Sequence, residues 1–208
     1  MPRVLIVDDH PFIRAGVKLV LSQEGFEVVG EAEDGTSAVR MARELLPDLI
    51  ILDISIPRLD GLEVIGRLNG VTSGIKVLAL TSQSAECFAP RCLKAGASGF
   101  ISKSGDLSEL VRAAKSVLAG YTYFPAVAVN SVRRTDMDSS ETDRIASLSD
   151  RELLILQYLT RGLSNKEIGD SILLSNKTIS TYKARVIEKL NVKTLVDLVD
   201  LARRNGLS

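Results

Sequence analysis

The stretch Pro47-Asp48-Leu49-Ile50-Ile51-Leu52-Asp53 decides the fold. A near-continuous run of β-branched residues and leucine, closed by a carboxylate, has the composition of a parallel strand buried on both faces. The irregular segment Ile54-Ser55-Ile56-Pro57-Arg58-Leu59-Asp60-Gly61 follows it. Open α/β sheets place their ligand crevices at the carboxyl ends of such strands, which puts Asp53 at a functional edge.

The same grammar extends in both directions. Upstream, Val4-Leu5-Ile6-Val7 is a strand ending in Asp8-Asp9, and Pro11 suits the first turn of a helix. Phe12, Ala15, Leu19 and Val20 mark an apolar stripe at helical spacing, and Gly25 closes that helix. Residues 27–32 read as a second strand, Asp34-Gly35 as a turn, and Ser37 to Leu46 as a helix stopped by Pro47. Downstream come a helix over 61–68, a strand over 75–80 ending in Thr81-Ser82, and a helix over 84–95 weakened by Pro90. A fifth strand, 99–102, ends in Lys103, and a helix over 107–118 is ended by Gly120. Five strand–helix units in succession predict a parallel sheet with helices on both faces.

The pattern then changes. Residues 130–147 are polar and short of large apolar side chains, so 121–147 reads as a linker between a domain at 1–120 and a second at 148–208. Within it, Tyr121-Thr122-Tyr123-Phe124-Pro125 gathers aromatics expected to pack on the last helix of the first domain, or alternatively on the second domain or a second subunit. From Leu148 onward all is helical: Ser149 with Glu152 forms a capping-box signature, Ser164 caps 166–172, and helices follow over 176–190 and 194–204.

The totals of the 208-residue chain suit a folded protein with a sizeable core, at 45% hydrophobic and 25% charged residues. No apolar run approaches the roughly 20 residues of a membrane span, and the N-terminus lacks a signal-peptide layout, so a cytoplasmic location is expected. The net charge of zero is divided: 13 Lys+Arg against 15 Asp+Glu over 1–120, and 10 against 7 over 148–208. Cys87 and Cys92 read as reduced packing residues, and with a single histidine a Cys/His zinc site is excluded.

A parallel sheet brings all its carboxyl ends to one edge. Asp8, Asp9, Asp53, Thr81 and Lys103 each fall at or just after such an end, so three carboxylates, a hydroxyl and an ammonium converge. Oxygen donors with open positions suit Mg²⁺. A carboxylate beside Mg²⁺ can attack a phosphoryl group to form an aspartyl phosphate, with the metal and the lysine neutralising developing charge. A Mg²⁺-dependent phosphohydrolase is the rival from another class, but such enzymes set their nucleophile after the first strand in an Asp-x-Asp arrangement and carry a substrate cap.

In the predicted helix over 176–190, Ile179, Val186 and Leu190 line one side, while Lys177, Ser180, Thr181, Ala184 and Arg185 occupy the other. A small, polar and basic face after a helix and a turn is what entry into a DNA major groove requires.

Asp8-Asp9, Asp53, Thr81, Phe100 and Lys103 together resemble the signature of the response-regulator receiver domain, a flavodoxin-like fold. The resemblance implies that Asp53 is the phosphoacceptor, that Asp8, Asp9 and the backbone carbonyl of Ser55 join it in holding Mg²⁺, that Thr81 moves toward the phosphoryl group while the Phe100 ring repacks inward, and that Lys103 contacts the phosphoryl oxygens. The segments Leu148-Ser149-Asp150-Arg151-Glu152, Gly162-Leu163-Ser164-Asn165-Lys166-Glu167-Ile168 and Ser175-Asn176-Lys177-Thr178-Ile179 resemble the LuxR-type helix-turn-helix. The whole chain is similar to response regulators of the NarL/FixJ family, and the segments at 120–125 and 174–183 to its BvgA/EvgA branch. That resemblance implies base-edge contacts from Ser180, Thr181 and Ala184, and backbone contacts from Lys177, Thr178, Lys183 and Arg185. It also implies a non-enzymatic transcription regulator with a sensor histidine kinase, simple or hybrid with a phosphotransfer domain, as donor. Double-stranded DNA and RNA polymerase are further expected partners, and the last helix is expected to carry dimer contacts on an inverted repeat. A phosphorylation-independent orphan regulator is the remaining alternative, against which the complete acidic set stands.

Overall fold

The computed structural model describes residues 1–69, 74–126, 141–172 and 174–207. The chain divides between residues 134 and 135 into two compact units.

The first unit alternates β1 (Arg3–Val7), α1 (Pro11–Gln23), β2 (Glu27–Ala32), α2 (Gly35–Leu45), β3 (Leu49–Leu52), α3 (Gly61–Asn69), β4 (Lys76–Thr81), α4 (Ala85–Ala95), β5 (Gly99–Ser102) and α5 (Leu107–Leu118). The five strands form one parallel sheet in the order β2-β1-β3-β4-β5. Every residue of β3 is buried, as its uninterrupted apolar composition requires. The chain crosses from β1 to β2 in one direction and from β2 back past β1 to β3 in the other, so the topological switch point lies between β1 and β3. Val7 stands opposite Leu52 in that pair, which sets Asp8 and Asp53 side by side just past the strand ends.

Two sequence readings in this unit change. On α1 the buried residues are Val17 and Leu21, with Ile13 packed partly against the core, while Phe12 is 90% and Leu19 60% exposed. Both sets repeat at helical spacing, and the side on which β1 and β2 lie decides between them. The Asp34-Gly35 pair is a helix start rather than a separate turn. Asp34 is the N-cap of α2 and its Oδ1 accepts the Ser37 N–H at 2.8 Å. Gly35 packs so tightly there that a Cβ would stand 2.0 Å from the carbonyl oxygen of Leu59. Pro90 lies inside α4 without ending it.

The second unit contains α6 (Glu141–Ala146), α7 (Asp150–Thr160), α8 (Asn165–Ile172), α9 (Asn176–Leu190) and α10 (Leu195–Arg204). The capping box at Ser149 and Glu152 is present, and Ser175 and Thr194 cap α9 and α10. No helix among the described residues is long and apolar enough to cross a membrane.

The expected linker is narrower than 121–147. Tyr123 forms a parallel bridge with Gly99 of β5, and α6 belongs to the second unit. Ile145 is buried, Arg144 Nη1 donates to the Leu190 carbonyl at 3.2 Å, and Glu141 takes Arg204 at 2.9 Å and Asn205 at 3.0 Å. A six-residue helix held by one apolar side chain and remote polar partners looks like linker by composition. Residues 127–140 lie outside the described residues.

Candidate functional site

The pocket forms where β1 and β3 end. Asp8 and Asp53 are nearly fully buried, and the Lys103 Nζ after β5 lies 2.6 Å from Asp8 Oδ2 and 2.6 Å from Asp53 Oδ2. Burial works against the Lys103 ammonium, but Asp53 and then Asp8 outweigh it and hold its pKa above the ordinary lysine value. The more exposed Asp9 completes an acidic mouth with His10, whose Nδ1 lies 2.7 Å from Asp9 Oδ1 and whose N–H donates to Asp8 Oδ1 at 2.9 Å.

The local backbone explains how these groups are held. The Asp53 N–H donates to the Val7 carbonyl at 2.9 Å, locking the acidic turn after β1 to the strand end of β3. Asp53 Oδ1 accepts the Ser55 N–H at 3.1 Å, folding the Ser55 peptide back over the pocket. Gly61 opens α3 against this turn: a Cβ there would stand 2.6 Å from Ile54 Cα and 2.7 Å from the Asp53 carbonyl oxygen. Thr81 is fully buried at the end of β4, and its carbonyl accepts the Lys103 N–H at 2.8 Å. Phe100 points inward and is 2% exposed.

Three carboxylates and one ammonium leave about two negative charges in the pocket, the complement of a divalent cation. Ligand atoms of Asp8, Asp9, His10 and Asp53 all lie within 4.8 Å of one another. Opposed donors around Mg²⁺ are separated by about 4 Å, so a small closure would suffice. The donor set fits the cation.

The structure thus brings Asp8, Asp9, Asp53 and Lys103 into one pocket, with Thr81 beside Lys103. Sequence reasoning missed three participants. Gln83 is buried, with Nε2 2.5 Å from Ser55 Oγ and N–H donating to Thr81 Oγ1 at 3.3 Å. Arg14 Nη1 donates to the Asp8 carbonyl at 2.7 Å. His10 was detectable, since it directly follows the acidic pair; the other two depend on how helices and loops fold back.

In the second unit, Gly169 of α8 leaves room for the chain that leads into α9: a Cβ there would stand 2.5 Å from the Leu174 carbonyl oxygen. Ile179, Val186 and Leu190 are buried, whereas Lys177, Ser180, Thr181, Ala184 and Arg185 are exposed. Thr178 and Lys183 are half-buried at the margins. The Arg185 guanidinium sits 5.8 Å from the Tyr182 ring centroid, which restrains its direction. The Ser180 hydroxyl donates to the Asn176 carbonyl and accepts from Asn165 Nδ2, and the Thr181 hydroxyl donates to the Lys177 carbonyl.

Comparison with known proteins agrees with both halves. Residues 4–115 match the response regulator receiver domain, and residues 146–202 match the bacterial regulatory proteins of the luxR family. Over 206 residues the chain is 51% identical to the virulence factors putative positive transcription regulator BvgA of Bordetella pertussis, covering 99% of each chain. It is 53% identical over 207 residues to a putative transcriptional regulator of Pseudomonas aeruginosa, covering 100% of each. The RcsB response regulator of Salmonella typhimurium superposes with a TM-score of 0.76 at 25% identity, covering 99% of this chain and 98% of that one. The same regulator bound to promoter DNA in the presence of the phosphomimetic BeF3⁻ gives 0.71 at 25% identity, covering 98% of this chain and 99% of that one. These families are transcription regulators rather than turnover enzymes. The chain belongs to the NarL/FixJ family of response regulators, a receiver domain followed by a LuxR-type helix-turn-helix DNA-binding domain.

Proposed function

We propose that Asp53 accepts a phosphoryl group from a sensor histidine kinase and that this mark governs DNA binding by α9. The observation that carries the reading is Lys103 Nζ, held 2.6 Å from both Asp8 and Asp53 at the switch point of the sheet. An Asp53 carboxylate oxygen attacks the phosphorus, and the phosphorus–nitrogen bond to the kinase imidazole breaks. Lys103 moves from the Asp53 oxygen to a phosphoryl oxygen. Asp8, Asp9, Asp53 and the Ser55 carbonyl would hold Mg²⁺, which when bound offsets charge on the transferring group. Among the described residues, the Thr81 hydroxyl accepts a long 3.3 Å bond from Gln83 N–H, which it gives up as it turns to the phosphoryl group. Phe100 on the neighbouring strand repacks with it.

On DNA, Ser180, Thr181 and Ala184 meet base edges, and Lys177, Thr178, Lys183 and Arg185 meet the backbone. Leu195 and Val196 on α10 are exposed apolar residues suited to an isologous contact between two copies on an inverted repeat. The relatives' regulation of virulence points to target genes of that kind, with RNA polymerase as partner and the cytoplasm as the site of action. The deciding experiment is labelling by acetyl phosphate with Mg²⁺. Wild type takes up phosphate and Asp53→Asn does not; labelling of Asp53→Asn to full stoichiometry would sink the assignment.

A further inference from the structure

The segment after α5 is tied to the same strand that carries Phe100. Gly120, at φ +92°, turns the chain back, and the Tyr121 N–H donates to the Ser116 carbonyl at 3.1 Å. Tyr123 then lies along β5 as a short sixth parallel element. Its N–H donates to the Ser98 carbonyl at 3.0 Å, and the Phe100 N–H donates to its carbonyl at 2.7 Å. Its phenol donates to Glu109 Oε1 on α5 at 3.1 Å. The fit is close: a Cβ on Gly99 would stand 2.9 Å from the Tyr123 carbonyl oxygen. Since β5 is an edge strand, Tyr123 fills its open hydrogen-bonding side.

We propose that residues 121–125 form an output strap. Movement of the Phe100 peptide is transmitted through its 2.7 Å bond to Tyr123, and so changes how the chain leaves β5 toward the second unit. The device rests on the phosphoacceptor reading of Asp53. It deepens that reading by naming the physical link between the pocket and the chain that follows. The aromatic segment is the handle: Tyr123 grips α5 and β5 together, and Phe100 is the residue that pulls on it.

The test uses the full-length protein, acetyl phosphate with Mg²⁺, and duplex DNA selected by the wild-type protein from a random pool. Hydrogen exchange at the Phe100 and Tyr123 amides changes together on labelling, while amides in β1 do not. In the wild type, labelling raises DNA affinity by about fivefold or more. Tyr123→Pro removes the N–H that meets Ser98; it takes up label as the wild type does, but its affinity gain disappears. Labelled wild type with unchanged exchange at both amides overturns the strap, as does a Tyr123→Pro protein that keeps the full gain. If Tyr123→Pro does not fold, the wild-type exchange result decides. A wild type that takes no label, or labels without any gain in DNA affinity, overturns the parent reading and the strap with it.

Discussion

Replacing Lys103 with methionine keeps the length of the side chain and removes its charge. The ammonium sits 2.6 Å from each of two carboxylates that are only 3% exposed, and is itself 12% exposed. Two charge-assisted hydrogen bonds disappear, each worth about 1.5–3 kcal/mol. The bridged oxygens lie within about 5 Å of one another, so at an effective dielectric of 20 they repel by about 3 kcal/mol once the cation between them is gone. Water entering from the Asp9 side moderates the loss, giving an expected destabilisation of the receiver of about 3 kcal/mol in EDTA. A divalent cation can take over the neutralising role. Mg²⁺ saturating both proteins stabilises both, and lessens the loss only by the difference in affinity, about 1.4 kcal/mol per tenfold. It should also bind Lys103→Met more tightly than wild type, because no ammonium would compete for Asp8 and Asp53. Urea unfolding of both proteins in EDTA and in saturating Mg²⁺ reads the effect directly. An unchanged midpoint in EDTA, or a loss that Mg²⁺ leaves intact, would refute the electrostatic account of the pocket.

Glu152→Gln should lower the stability of the second unit by about 1–2 kcal/mol, a figure reduced because Lys189 is 41% exposed. Burial pushes the Glu152 pKa up, but Lys189 and Ser149 outweigh it and hold it below the usual 4.5. Its contribution is therefore complete above that usual value and is lost as pH falls through the lower folded value; thermal melts of wild type should show this acid limb and Glu152→Gln should flatten it, so identical profiles would remove Glu152 from the account. Gly35→Ala forces a Cβ to within 2.0 Å of the Leu59 carbonyl oxygen and should cost about 1–3 kcal/mol in denaturant unfolding, whereas wild-type stability would show that the contact yields easily. Lys183→Ala should weaken binding to all duplexes and reduce the salt slope by about 1, while Thr181→Ala should relax selectivity at one base pair by about 1–3 kcal/mol. Binding isotherms across salt and across a panel of sites separate the two; an unchanged slope or unaltered selectivity removes the corresponding residue from the interface.

The parts of the fold that were legible in the sequence are those written in contiguous residues. Leu49-Ile50-Ile51-Leu52 can only be satisfied by burial on both faces, and once the strands are parallel, Asp8, Asp9, Asp53 and Lys103 must share an edge. The face of α1 was not legible, because Phe12, Ala15 and Leu19 keep helical time as well as Ile13, Val17 and Leu21 do. Asp34 was misread because an Asp-Gly pair signals a turn, while its bond to the Ser37 N–H is a cap. Tyr123 on β5, α6 against Leu190 and Arg204, and Gln83 over Ser55 all depend on partners that only the folded chain supplies.

The hydroxyl caps of the second unit have a kinetic consequence. Ser149, Ser175 and Thr194 each fix a helix start through a residue three positions on. These instructions are available as soon as a few residues can meet. The receiver has a local cap of its own at Asp34, but its sheet has no such shortcut, since β1 must find β3 across the chain that separates Val4 from Leu49 before the central ladder forms. The slow step in folding the whole protein is therefore expected in the sheet, and stopped-flow refolding monitored by amide protection should show α7, α9 and α10 protected before β3. Until that sheet closes, the chain would carry a formed helix-turn-helix without the pocket meant to control it.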